Sequence, residues 1–165
     1  MTELRIGASV KLVVLYALLF LGIFGGFFTL KAATGTEYPI MIVVSESMEP
    51  TLAVGDYIFV RNVGNVNDIR VGSQGDIIVF LKPSSVQSEY IVHRAIDKFQ
   101  RSGVTYFKTK GDNNPIQDWW DIPAANILGV VYGRAPLFGY FSLFERLSGG
   151  IVSIVLLIVL IFFID

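Results

Sequence analysis

The chain has no cysteine, a single histidine and few charges, with 13 basic side chains nearly balanced by 14 acidic ones in 165 residues. Without cysteine nothing is stapled by disulfides, an absence compatible with any compartment. Without a basic tract, nucleic acid is not an expected partner. No metal or cofactor is expected either. What is present in excess is apolar side chains, 53% of the chain, and the excess is concentrated at the two ends.

Leu12 to Leu30 carries no charge. At about 1.5 Å per residue this run is roughly 28 Å long, close to the hydrocarbon thickness of a bilayer. Ala32-Ala33-Thr34 follows it and suggests a signal-peptide cleavage site. The apolar part of a signal peptide is usually only about 7–15 residues, so an uncleaved transmembrane helix over 12–30 is expected. Leu147 to Ile164 is also uncharged, and after Ser153 no polar residue interrupts it before its end. It predicts a second span over 147–164, with a buried core helix as the alternative. Arg5 and Lys11 outweigh Glu3 before the first span, so residues 1–11 are expected to form a cytoplasmic tail. The segment between the spans then lies on the extracytoplasmic or lumenal side.

Residues 36–136 are of a size for one domain with one core. Apolar or alternating runs predict strands at Ile40–Val44, Tyr57–Val60, Ile77–Leu81, Tyr90–Ile96, Val104–Lys108 and Ile127–Tyr132. Turn signals separate them, among them Val54-Gly55-Asp56, Gly72-Ser73-Gln74-Gly75-Asp76 and Lys110-Gly111-Asp112-Asn113-Asn114-Pro115. The expectation is a mostly antiparallel β domain with few helices. Gly-Asp recurs at unequal intervals, which excludes a solenoid repeat. Trp119-Trp120 suits either a core or a membrane interface.

Ser45-Glu46-Ser47-Met48-Glu49-Pro50 follows the first strand. If the chain stays extended, Ser45 and Ser47 share one face while Glu46 and Met48 take the other. Two hydroxyls on one face can serve as nucleophile and hydrogen-bond donor, although Ser-x-Ser before proline is ordinarily a turn. A serine nucleophile needs a base. His93 is one candidate, since imidazole exchanges protons near neutrality. Lys82, Lys98, Lys108 and Lys110 are others, but none lies in an apolar run that would desolvate it. An aspartate orienting the imidazole would come from the loop that carries Asp112 and Asp118, with Asp121 just behind. Asp56 and Asp76 follow glycines and read as turn acids.

Three boxes in order carry a resemblance to type I signal peptidases. Ser45-Glu46-Ser47-Met48-Glu49-Pro50-Thr51, with Gly55-Asp56 after it, resembles the family's serine box. Tyr90-Ile91-Val92-His93-Arg94 resembles the box where bacterial members carry a lysine base and archaeal and endoplasmic-reticulum members a histidine. Lys110-Gly111-Asp112-Asn113-Asn114 resembles the acidic box, with a further aspartate six residues on. The resemblance covers about residues 38 to 136. It implies a β catalytic domain of antiparallel strands flanked by two transmembrane helices. It further implies Ser47 as nucleophile, His93 as general base, Asp118 as triad acid and Asp112 in a supporting role. The Ser45 hydroxyl and the Ser47 backbone N–H would stabilise the oxyanion. Glu46 departs from the glycine common at its position, which questions close substrate approach there.

A peptidase of this kind acts on secretory preproteins, membrane-held apolar segments with small residues before the cut. Ile40, Ile42 and Val44 are expected to bind substrate as an added strand, with pockets for small side chains beside them. About sixteen residues separate Leu30 from Ser47, so the hydroxyl lies no more than roughly 55 Å from the span. Expected partners are the preproteins, the lipid bilayer, and a secretion translocon or accessory subunits. Two alternatives stand. One is a Ser/Lys peptidase of related fold, and the other is a noncatalytic membrane-anchored β domain of a secretion complex.

Overall fold

The computed structural model describes residues 7–83 and 89–136, together with residues 139, 153 and 155. Glu3 and Arg5 of the expected cytoplasmic tail lie outside the described residues, as does nearly all of the expected second span at 147–164.

Helix α1 (Ala8–Thr34) contains the uncharged run and extends past it at both ends to take in Lys11 and Lys31. Its stretch Val10–Thr34 is long and apolar enough to cross a membrane. Leu15, Leu18, Leu21 and Phe28 are all exposed, so the helix has no face packed on the rest of the protein. A helix apolar all round and unburied suits lipid. It stops at Gly35, whose left-handed φ of 65° lets its N–H bond back to the Lys31 carbonyl at 2.9 Å. A residue with a side chain would be strained there.

Seven strands follow: β1 (Ile40–Ile42), β2 (Tyr57–Arg61), β3 (Ile77–Leu81), β4 (Tyr90–Arg101), β5 (Val104–Lys110), β6 (Ile122–Pro123) and β7 (Ile127–Ala135). They form one sheet in the order β1-β2-β7-β3-β4-β5-β6, and every pairing is antiparallel. Central β3 is an unbroken apolar run because both of its faces are covered. Ile78 and Phe80 join Ile69, Ala95, Phe107, Ile122 and Val130 in one buried cluster. Val79 turns to the other, with Val43, Met48, Leu52, Ile58 and Val60.

Two departures from expectation matter. First, β1 ends at Ile42 rather than Val44, because its partner turns away at Gly55-Asp56. Val43 still donates to the Asp56 carbonyl and accepts from the Gly55 N–H, both at 2.9 Å, so the chain stays pinned there. Second, Glu46–Met48 is a single 3₁₀ turn with an extended Ser45 at its start. The strict alternation expected for Ser45–Met48 therefore does not apply. β6 was not expected from sequence; it is two residues long and carries a proline, which a short edge strand tolerates.

Replacing Phe107, which is fully buried, by alanine should destabilise the domain by about 3–5 kcal/mol. Equilibrium denaturation of the detergent-solubilised protein measures this. An unchanged midpoint would mean that the ring does not hold the core together.

Candidate active site

The 3₁₀ turn brings the two serine hydroxyls together despite the failed alternation: Ser45 Oγ and Ser47 Oγ are 3.2 Å apart. Met48, the next residue, is buried and anchors the turn, whereas Glu46 is exposed and does not line the adjoining cleft. Pairing holds the turn from outside itself. The Asn113 N–H donates to the Ser47 carbonyl at 2.9 Å, and Asn113 Nδ2 donates to the Glu46 carbonyl at 3.2 Å. Gly111 packs so closely that a Cβ on it would lie 2.5 Å from the Ser47 carbonyl oxygen.

His93 sits on β4 opposite Ile78 and is buried, with the Phe80 ring edge-on beside it. Its Nε2 is 3.1 Å from Ser47 Oγ and its Nδ1 is 2.7 Å from Asp118 Oδ2. A neutral imidazole protonated on Nδ1 satisfies both contacts, donating to Asp118 and accepting from the Ser47 hydroxyl. Thr109 Oγ1 also donates to Asp118 Oδ2, at 2.6 Å. The sequence reading missed Thr109. Only the β4–β5 register, which pairs Ala95 with Thr109, puts it on the face that His93 shares with Ala95.

Asp112 occupies a different environment. Arg94 binds it with two donors, Nε to Oδ1 at 2.8 Å and Nη2 to Oδ2 at 2.6 Å, and Thr51 Oγ1 donates to Oδ2 at 2.6 Å. Burial pushes the Asp112 carboxyl up, but the Arg94 fork, the Thr51 hydroxyl and the nearby positive charge outweigh it and hold the group below the usual carboxylate range. The bond to Asp112 in turn raises Arg94, against the opposing effect of burial. Asp112 thus ties the start of the acidic loop to β4 and to the chain just beyond the serine turn.

The remaining candidates lie elsewhere. Asp121 pairs with Arg101 and Lys108, Asp56 with Arg134, and Asp76 with Arg70. Lys82 pairs with Glu89, and Lys98 donates to the carbonyls of Asn67 and Ile69. Trp120 packs on the core beneath Lys82, whereas Trp119 is exposed.

A cleft of about 280 Å³ opens beside Ser47, walled by Met41–Ser45 and Glu89–His93. Ile42 and Val44 line it; Ile40 does not. Pro39 and Val43 direct backbone groups to β2 and its turn, so alternation sends those of Ile40, Ile42 and Val44 to the open edge. On the far wall, Glu89 and Ala95 bond toward β3, which turns the backbone groups of Tyr90 and Val92 outward. β5 begins pairing only at Arg94, so that stretch of edge is free of it.

A hydroxyl, an imidazole and a buried carboxylate in hydrogen-bonded succession make up the side-chain set of a serine hydrolase. The chain belongs to the signal peptidase family, peptidase S26, whose pattern it matches over residues 9–108. The matched stretch includes Ser47 and His93 and ends before Asp118. Over 139 residues it is 34% identical to the signal peptidase complex catalytic subunit sec11 of Schizosaccharomyces pombe, with 72% of each chain covered. The corresponding subunit of Schizophyllum commune is 32% identical over 160 residues, covering 80% of this chain and 79% of that one. That of Sclerotinia sclerotiorum is 33% identical over 124 residues, covering 69% and 67%.

Two predictions follow from the packing around the turn. Gly111→Ala should displace the Ser47 carbonyl and lower activity at least tenfold, roughly the effect of misplacing a reacting group by a fraction of an ångström; a peptide-cleavage assay measures it, and full activity would mean that the turn yields freely. Asp112 has a folded pKa below its unfolded one, so its contribution to stability is present above about pH 4 and is lost as pH falls through the folded value. Asp112→Asn should cost about 2 kcal/mol at neutral pH and flatten the acid limb of melting temperature against pH. A variant with an unaltered acid limb would show that this ion pair contributes no pH-dependent stability.

Proposed function

We propose that this chain is a membrane-bound serine endopeptidase that removes signal peptides from secretory preproteins by cutting after small residues. The observation that carries the reading is the succession Ser47–His93–Asp118 opening on a cleft with a free strand edge along each wall. An extended substrate can add its backbone to the edge of Ile42 and Val44 and to that of Tyr90 and Val92. Ile42, Val44, Met48 and Ile91 narrow the cleft beside Ser47, which favours small side chains before the scissile bond.

In the proposed reaction His93 Nε2 takes the Ser47 proton as Oγ attacks the scissile carbonyl. Asp118 stabilises the imidazolium that results. The negative charge on the carbonyl oxygen is met by the Ser47 N–H and the Ser45 hydroxyl, which rotates from Ser47 Oγ toward it. His93 then protonates the departing amine of the mature protein, leaving the signal peptide as an acyl group on Ser47. Water, deprotonated by His93, hydrolyses this ester and restores the enzyme. Asp112 has no part in proton transfer; it holds the serine turn in register.

Helix α1 is proposed to anchor the chain with its amino terminus cytoplasmic (residues 1–11), the span at 12–30 and the catalytic domain at 36–136 on the extracytoplasmic or lumenal side. Residues 147–164 form the proposed second span. Histidine at the base position suits the archaeal and endoplasmic-reticulum subgroup, in a cell membrane or endoplasmic-reticulum membrane respectively. The names of the fungal relatives, catalytic subunits of a signal peptidase complex, support assembly with accessory subunits.

A signal-peptide-bearing precursor incubated with the detergent-solubilised protein tests the reading. Ser47→Ala and His93→Ala should each lower cleavage by about four orders of magnitude or more. Cleavage retained by Ser47→Ala would overturn Ser47 as the nucleophile, and absence of cleavage even by the wild type would leave the noncatalytic scaffold. Cleavage retained by His93→Ala would leave the Ser/Lys alternative.

A further inference from the structure

We propose that Thr109 is a positioning residue that sets the working orientation of the Asp118 carboxylate, an inference that rests on the reading of Ser47, His93 and Asp118 given above. Asp118 lies in the irregular chain between β5 and β6, where no strand ladder fixes its side chain. Thr109 holds it by both ends. The Asp118 N–H donates to the Thr109 carbonyl at 2.8 Å, and Thr109 Oγ1 donates to Asp118 Oδ2 at 2.6 Å.

The oxygen that Thr109 grips is the one that accepts from His93 Nδ1. Two donors converge on one carboxylate oxygen, so the carboxylate cannot rotate away from the imidazole without breaking both bonds. Thr109 is itself fully buried and β-branched, and its χ1 is confined by the strand and its neighbours. Its hydroxyl is therefore a stiff donor from a regular strand. That rigidity passes to a loop carboxylate and, through it, to the tautomer and tilt of His93. Thr109 does not line the cleft, so it has no contact through which to bind substrate.

Valine keeps the branched shape at this position and removes only the hydroxyl; serine keeps the hydroxyl and removes the methyl group. The experiment measures kcat and KM of Thr109→Val, Thr109→Ser and Ser47→Ala on the same precursor, with melting temperatures for each. The chain has one histidine, so in protein labelled with ¹⁵N-histidine the Nδ1–H resonance reports on the His93–Asp118 bond directly. Thr109→Val should lose roughly tenfold or more in kcat, as for loss of one charge-assisted bond, with KM unchanged and the Nδ1–H resonance shifted. Thr109→Ser should restore both. If Thr109→Val kept full kcat while Ser47→Ala was inactive, the inference alone would fall. Equal loss in the valine and serine variants, or an unmoved resonance, would also overturn it by making Thr109 a packing residue. Activity surviving in Ser47→Ala would overturn the underlying reading and the inference with it.

Discussion

The loop between β5 and β6 is fastened at two places, and the candidate site depends on both. At its start, Gly111 and Asn113 press against the backbone of the serine turn, with Asn113 donating to the carbonyls of Ser47 and Glu46. Further along, Asp118 is fixed to β5 through Thr109. Neither Ser47 nor Asp118 lies in a strand, whereas His93 does. The imidazole is thus the rigid reference, and the loop brings hydroxyl and carboxylate to its two nitrogens. A contact of 3.1 Å on one side and 2.7 Å on the other needs positional accuracy that two isolated turns lack. Joining them to each other supplies it, since each then loses freedom only with the other.

Among the described residues from Asp56 to Asp121, five aspartates bond to other side chains, and they divide by their partners. Asp56, Asp76, Asp112 and Asp121 each pair with an arginine, and Asp121 with a lysine as well. Among the described residues Asp118 pairs with neither; its donors are the neutral Thr109 hydroxyl and the His93 ring. A guanidinium on Asp118 would satisfy the carboxylate before the imidazole gained its proton, and would repel the imidazolium afterwards. A neutral donor keeps the carboxylate oriented and leaves its charge available for His93. In the proposed reaction the same acid type would thus serve as a brace at Asp112 and as a charge partner at Asp118, and the difference lies in what surrounds each group.

Much of the fold was legible because burial imposes its period on the strands. Each of the runs at 57–60, 77–81, 90–96, 104–108 and 127–132 lies within an observed strand. The extensions of β4 and β5 were not legible, since Asp97, Lys98 and Gln100 continue a hairpin whose ladder needs no apolar alternation. The proximity of Ser45 and Ser47 was expected on a false premise, extended chain, and arises instead from a 3₁₀ turn. That turn is held by residues more than sixty positions away, so no local pattern could reveal it. The same distance hides how the acidic loop divides its work. His93 and Arg94 are adjacent on a strand and so point to opposite faces, and each receives its own aspartate. Which aspartate goes to which face depends on the path of the loop. Thr109 was invisible for a related reason: a threonine in a strand is ordinary until the register shows what lies beside it.

The membrane end of the domain imposes the last constraint. Thr34, the last residue of α1, accepts a hydrogen bond from the Asn62 N–H at 2.8 Å, and Gly35 accepts one from Asn62 Nδ2 at 3.1 Å. A Cβ on Gly35 would come within 3.3 Å of the Asn62 Cβ, and Thr36 is buried. Pro39 then receives the Val60 N–H at 2.9 Å. The chain leaving the helix is thus bonded at once to the end of β2 and is not free to swing on a linker. The reach of roughly 55 Å that an extended tether would allow is therefore never used, because β1 starts at Ile40. In the proposed reaction the substrate is also an apolar helix followed by an extended cleavage segment. Its extended segment would run along an edge that starts close to where the enzyme's own helix stops. The same succession of helix, short bonded exit and strand in both partners would place the scissile bond and Ser47 at a common depth, which a flexible tether could provide only as an average.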